Sequence, residues 1–212
     1  MASWIVHLRV ADMLIDRLYI DIPHFVAGNI APDCGLADRN GNFIPDMQIT
    51  HFTKSGKGSC EYIKFWDEFC RNETDFKRHS FYLGYFVHLL TDVLWVKLIN
   101  EPTKQAYFDL YSTDRTKYYK EVKSDWYDLD FLYLESNPNF RSWIIFCELY
   151  DFENTFLPYY EKDNFKIQFS YIKDFYNQTV NTNREYKYLT ELKVNEFVDK
   201  ASKIIINTIE NL

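Results

Sequence analysis

The chain has 212 residues, enough to bury a sizeable core, and 47% of them are hydrophobic, which excludes a disordered polymer. With only 6 Gly and 6 Pro it lacks the turn punctuation of a many-stranded sandwich or barrel, so an all-α fold is expected. A net charge of −7, with Lys and Arg scattered among acids as in "DRTKYYKEVK" at 114–123, speaks against a nucleic-acid partner but leaves room for a cationic site made by a metal.

In chain order, residues 3–20 carry apolar positions at helical spacing, with Ser3 as N-cap. His7, Arg9 and Asp12 interrupt the apolar stretch, so a signal peptide is not expected. Residues 21–35 read as a helix running into a loop. Residues 36–59 form the longest irregular stretch, and its Phe43, Ile44, Ile49 and Phe52 predict that it packs down. Within it, "SGKGS" at 55–59 reads as a flexible turn, since Gly58 follows Lys57 where a phosphate loop needs Ser or Thr.

Helices are predicted at 60–72, 75–99 and 102–120. The acidic, aromatic stretch 124–138 is expected to wrap the body and turn at Pro138. Helical patterns return at 139–149, 151–162 and 164–178. The clearest, at 190–211, repeats Val194, Phe197, Val198, Ala201, Ile204 and Ile205. The pattern suits one helical domain over 1–212, or such a domain with 150–212 as an accessory lobe. No run of 18 uncharged apolar residues exists, so no transmembrane segment is expected. Cys34, Cys60, Cys70 and Cys147 form no C-x-x-C pair, which argues against a cysteine zinc knuckle and for a reducing, cytoplasmic setting.

The chemistry concentrates in "GYFVHLLTDVLW" at 84–95. Four residues apart, His88 and Asp92 point the same way from a helix, toward a face shared with Phe81, Gly84, Tyr85 and Trp95. A carboxylate buried there needs a salt bridge, a hydrogen bond to the imidazole, or a metal. His51 in "QITHFT" and Asp33 in "GNIAPDCG" would complete two imidazoles and two carboxylates. That set suits zinc, and also iron or manganese. His7 is either a core histidine or a ligand to a second ion bridged by Asp92. His24 is a loose candidate, and His79, half a helical circuit from His88, faces elsewhere.

The ordered set "WIVHLRVADML", "GNIAPDCG", "ITHF" and "FYLGYFVHLLTDVLW" resembles the zinc-dependent phospholipase C family, most closely its intracellular bacterial branch. The resemblance covers residues 1–100 and extends more weakly into "DWYDLDFLYLE". It implies an all-helical fold holding up to three zinc ions, which hydrolyses phosphodiester bonds in phospholipids. Related nucleases cut single-stranded nucleic acids. Carried over, Asp33, His51, His88 and Asp92 hold one ion, with Asp92 bridging, and His7 helps hold a second. In the secreted enzymes the amino group of a processed N-terminal tryptophan completes that second site, whereas Trp4 here is not terminal.

The family's third site needs two histidines and a glutamate after the helical aspartate. No histidine follows His88. The resemblance therefore implies a metal-dependent hydrolase of phosphate esters with one or two ions. Its substrate would be a small phosphoester or a phospholipid-like molecule. Asp33 would serve as base as well as ligand, and Tyr82, Tyr85 and Arg39 would contact substrate. The alternative is a non-catalytic metal- or ligand-binding helical protein of the same family. The oligomeric state stays open.

Overall fold

Ser3 opens the first helix, α1 (Trp4–Ile15), its hydroxyl accepting from the Val6 N–H in a computed structural model that describes residues 2–212. The helix closes at Asp16, short of residue 20, as the Arg17 N–H turns back to the Leu14 carbonyl at 2.9 Å. Asp21 caps α2 (Ile22–Ile30), which carries Pro23 in its first turn, where a missing N–H costs nothing. A single 3₁₀ turn, Ala31–Asp33, then ends the segment.

The stretch 36–59 is more structured than expected. Leu36–Ala37 (β1) pairs antiparallel with Phe43–Ile44 (β2), and Asp38 closes the hairpin by accepting from the Asn40 and Asn42 N–H groups, each at 2.8 Å. A one-turn helix, α3 (Met47–Thr50), is capped by Asp46. The expected packing of its apolar residues holds only for the half-buried Phe52, since Phe43, Ile44 and Ile49 stand exposed. A 3₁₀ turn at Lys57–Ser59 leads to α4 (Tyr62–Phe65), which widens into a π turn at Trp66–Cys70.

The centre of the molecule is α5 (Phe76–Trp95), capped by Asp75 and buried along nearly its whole length. A helix covered on all sides is apolar around its circumference, which masks the usual one-sided pattern. Two glycines let α2 lie directly on it. A β-carbon at Gly84 would sit 2.0 Å from the Phe25 carbonyl oxygen, and one at Gly28 would sit 1.9 Å from the Phe81 carbonyl oxygen. A π turn at Val96–Asn100 carries α5 into α6 (Glu101–Ala106). By length and composition the continuous helix Phe76–Ala106 could cross a membrane, and 78% of its apolar window is buried inside the protein.

The single helix expected over 102–120 is broken at Tyr107 and Asp114. It becomes α6, α7 (Phe108–Thr113) and the start of α8 (Arg115–Ser136), because Asp114 leaves the helix to cap the Lys117 N–H at 2.9 Å. The acidic aromatic stretch is the second half of α8. After α9 (Arg141–Glu148), the helix expected at 151–162 is absent. Asn154 prevents it: its carboxamide accepts from the Phe156 and Leu157 N–H groups and donates to the Leu157 and Tyr160 carbonyls, fixing a loop.

The chain ends in α10 (Asn164–Tyr176) and α11 (Glu191–Glu210), the latter packed on α1 and α5 with Phe197 edge-on to Trp95 at 4.8 Å. The non-helical strap between them is pinned to α8. Arg184 bonds Asp125 at 2.7 Å, Asp128 at 2.6 Å and Ser124 at 2.9 Å. Buried Asp125 also accepts from the Tyr188 and Leu189 N–H groups, at 2.6 and 3.2 Å.

Candidate metal centre

His88 and Asp92 lie one turn apart on α5, both fully buried. The His88 Nδ1–H donates to the Asn29 carbonyl at 2.7 Å. That carbonyl is free because α2 ends at Ile30 and its last turn lacks intrahelical partners. The bond fixes the tautomer and leaves the Nε2 lone pair facing Asp92 and Asp33. The close crossing at Gly28 and Gly84 makes the bond reachable.

Asp33 reaches the same point from the 3₁₀ turn after α2. Its Oδ1 lies 3.3 Å from His51 Nε2 and 4.0 Å from His88 Nε2. His51 follows α3 directly, and its Nδ1 pairs with the Thr50 hydroxyl at 2.9 Å, so Nε2 turns inward. Asp92 spans the cluster. Its Oδ2 is 3.6 Å from His51 Nε2 and 3.7 Å from His88 Nε2, while its Oδ1 is 3.5 Å from His7 Nε2 and accepts the Ala2 N–H at 2.9 Å. His7, on α1, stacks flat on His88 with ring centroids 3.7 Å apart.

All five candidate residues therefore meet at one place. Two overlapping ligand groups result: His7, His88 and Asp92, and Asp33, His51 and His88. His7 Nδ1 and Nε2, His51 Nε2, His88 Nε2, Asp33 Oδ2 and Asp92 Oδ2 are buried without a hydrogen-bond partner. Orphans gathered so densely are what a cation would satisfy. The atoms Asp33 Oδ1, His51 Nε2, His88 Nε2 and Asp92 Oδ2 stand 3.3 to 4.0 Å apart along the four measured edges. Ligands at zinc bond lengths span tetrahedral edges of about 3.3–3.6 Å. Along these four edges the donors approach the spacing that a divalent ion requires, so the donor set fits such an ion.

The charges agree with that fit. Burial and the neighbouring His88 push the His7 pKa down to about 4, and burial and Lys57 do the same to His51. Both imidazoles are neutral near pH 7, as ligands must be. Burial works to raise the two carboxyls, but the Lys57 ammonium and the surrounding imidazoles win and hold Asp33 and Asp92 well below the usual range.

Lys57 is the site residue that sequence reasoning missed. Its Nζ lies 2.7 Å from Asp33 Oδ1 and 3.3 Å from Asp92 Oδ2, inside the cluster. The available signal was a lysine flanked by Gly56 and Gly58, which lets backbone press close to another element. Of the three residues expected to meet substrate, two hold backbone elsewhere. Tyr85 donates to the Thr50 carbonyl, bracing the His51 turn, and Tyr82 donates to the Phe156 carbonyl at 2.8 Å. Arg39 stands exposed in the hairpin. His24 pairs with Asp21 at 2.5 Å, away from the cluster, and Cys34 is an inert thiol whose pKa burial raises well above normal. Two clefts of about 560 and 510 Å³, around Arg78 and Tyr82 and around Tyr107 and Phe197, do not include the cluster.

No curated protein and no solved structure matches the chain. Residues 4–210 match the zinc dependent phospholipase C family, and with its helical fold and its buried His/Asp group able to bind a metal, the chain belongs to that family.

Proposed function

We propose that the protein is a metal-dependent hydrolase of phosphate esters, acting on a phospholipid-type molecule or a smaller phosphodiester. The observation that carries this reading is the convergence of Asp33, His51, His88 and Asp92, with His51 Nε2, His88 Nε2 and Asp92 Oδ2 buried without a hydrogen-bond partner and Asp33 Oδ1 engaged only by Lys57. These four residues would hold one ion. His7, on the Oδ1 side of Asp92, would border a second. A divalent ion, when bound, polarises the phosphoryl group, activates water near neutral pH and offsets charge in the transition state.

The protein's own groups do the rest. His88 is held by the Asn29 carbonyl and His51 by Thr50, so neither imidazole has to reorganise. Asp33 is the more exposed carboxylate of the pair, and its buried Oδ2 has no hydrogen-bond partner, so it would be the group that accepts a proton from an attacking water. Iron or manganese would suit the same donors. The setting we infer is the cytoplasm, supported by four free cysteines.

The test is elemental analysis of the purified protein, followed by turnover of a phosphoester panel with zinc, manganese or iron(II) added. Asp33→Asn should abolish turnover while the fold stays intact. Bound metal with no cleavage of any ester would instead establish a non-catalytic metal-binding member, a reading favoured by the near-complete burial of the cluster. A protein that takes up no metal refutes both.

A further inference from the structure

The cluster contains one strong cation of its own, and its position is informative. Side-chain exposure is zero at His7, His88 and Asp92 and 2% at His51, but 10% at Asp33 and 8% at Lys57. Anything that reaches an ion held by these ligands arrives over Asp33 and Lys57. An ammonium carries three N–H donors. One donates to Asp33 Oδ1 at 2.7 Å, Asp92 Oδ2 lies 3.3 Å away as an ion-pair partner without a hydrogen bond, and among the described residues no other acceptor engages the ammonium.

The lysine is also firmly mounted. Gly56 adopts φ +112°, which an L side chain rarely takes, and its carbonyl accepts from the Thr53 hydroxyl at 2.6 Å and the Ser59 hydroxyl at 2.9 Å. On the other side, Gly58 is pressed so closely to the α5 extension that a β-carbon there would lie 2.8 Å from Val96 Cγ1. Lys57 is thus aimed by fixed backbone on both flanks, as a preorganised donor requires.

Charge then selects the ligand. Two carboxylates and one divalent ion cancel, and the histidines are neutral. Lys57 leaves the loaded site with one net positive charge, which matches the single negative charge of a phosphodiester. Resting on the phosphoesterase reading above, we propose that Lys57 is the phosphoryl-binding residue of this site, donating to a non-bridging oxygen of a monoanionic diester beside the ion.

The experiment uses full-length wild type, Lys57→Met, Lys57→Gln and Lys57→Arg, with folding checked by circular dichroism. Zinc uptake is measured by calorimetry, and dimethyl phosphate is then titrated into the loaded proteins by ³¹P NMR. Lys57→Met and Lys57→Gln should take up zinc at least as tightly as wild type, since a like charge has gone. They should bind dimethyl phosphate at least tenfold more weakly, and Lys57→Arg should stay within threefold of wild type. An ammonium that merely balances the carboxylates of the metal-free site predicts tighter zinc with unchanged dimethyl phosphate binding, and that result overturns the proposal alone. So does a zinc-loaded wild type that ignores dimethyl phosphate. A wild type that takes up no zinc removes the metal reading and this proposal together. If Lys57→Met fails to fold, Lys57→Gln, which keeps a hydrogen-bond donor without the charge, decides the same question.

Discussion

Alanine at Gly84 is the sharpest probe of how the fold builds the site. In an ordinary helix this change stabilises by about 1 kcal/mol, because glycine loses more backbone freedom on folding. Here the new β-carbon would lie 2.0 Å from the Phe25 carbonyl oxygen and 2.8 Å from the Asn29 nitrogen, both backbone atoms that no rotamer change can move. Restoring a contact of about 3.4 Å requires α2 and α5 to part by about 1.4 Å. Protein interiors have no slack to absorb that, so overpacking should outweigh the helix gain and leave a net loss of about 3 kcal/mol. For a chain of this size that corresponds to a fall in Tm of about 6–12 °C. The same separation strains the bond from His88 Nδ1 to the Asn29 carbonyl, so zinc affinity should drop about tenfold. Thermal melts of the metal-free protein and a zinc titration measure the two effects. A Gly84→Ala protein that melts at or above the wild-type temperature would refute the reasoning.

Further tests address the centre itself. Asp92→Asn, which removes the charge of the carboxylate that His7, His51 and His88 all face, should weaken zinc binding at least 100-fold by calorimetry. Tyr85→Phe removes the brace on the Thr50 carbonyl and should cost about 1 kcal/mol of stability in urea titrations, with a few-fold loss of zinc affinity and unchanged stoichiometry. The metal-free protein should lose stability as pH falls from about 6.5 to about 4. His7 and His51 are lowered to about 4 in the folded state, so in that window the unfolded chain binds protons at these two groups that the folded one refuses, a loss that outweighs the opposite contribution of buried Asp130, raised to about 7. Asp33 and Asp92, also depressed, extend the loss to lower pH, and urea midpoints between pH 4 and 7 that do not fall with acid would contradict this.

The parts of this protein legible in its sequence are those governed by local periodicity. His88 and Asp92 share a helical face by spacing alone, and α11 announces itself by its apolar repeat. Asp33, His51 and His7 are candidates by residue type, and the ordered set of short motifs supports them, because separations of 18 and 37 residues say nothing about convergence. Lys57 carries only the weak signal of its flanking glycines, which suit a free turn as well as a close backbone approach, and the partners that bury it lie on distant elements. The missing helix over 151–162 has a similar cause: the Asn154 carboxamide supplies hydrogen bonds that a helix would otherwise make. The breaks at Tyr107 and Asp114 turn on a single capping choice, which apolar patterning does not register.

The Arg184 strap has a dynamic consequence. The Tyr188 and Leu189 amides hang on Asp125, and Arg184 ties the same segment to three residues of α8. Fraying of the last helix from its start should therefore require the strap to release as well. Strap and helix should form one cooperative unit in native-state hydrogen exchange, with the Tyr188 and Leu189 amides exchanging at the same free energy as the buried amides of α11 around Val198 and Ala201.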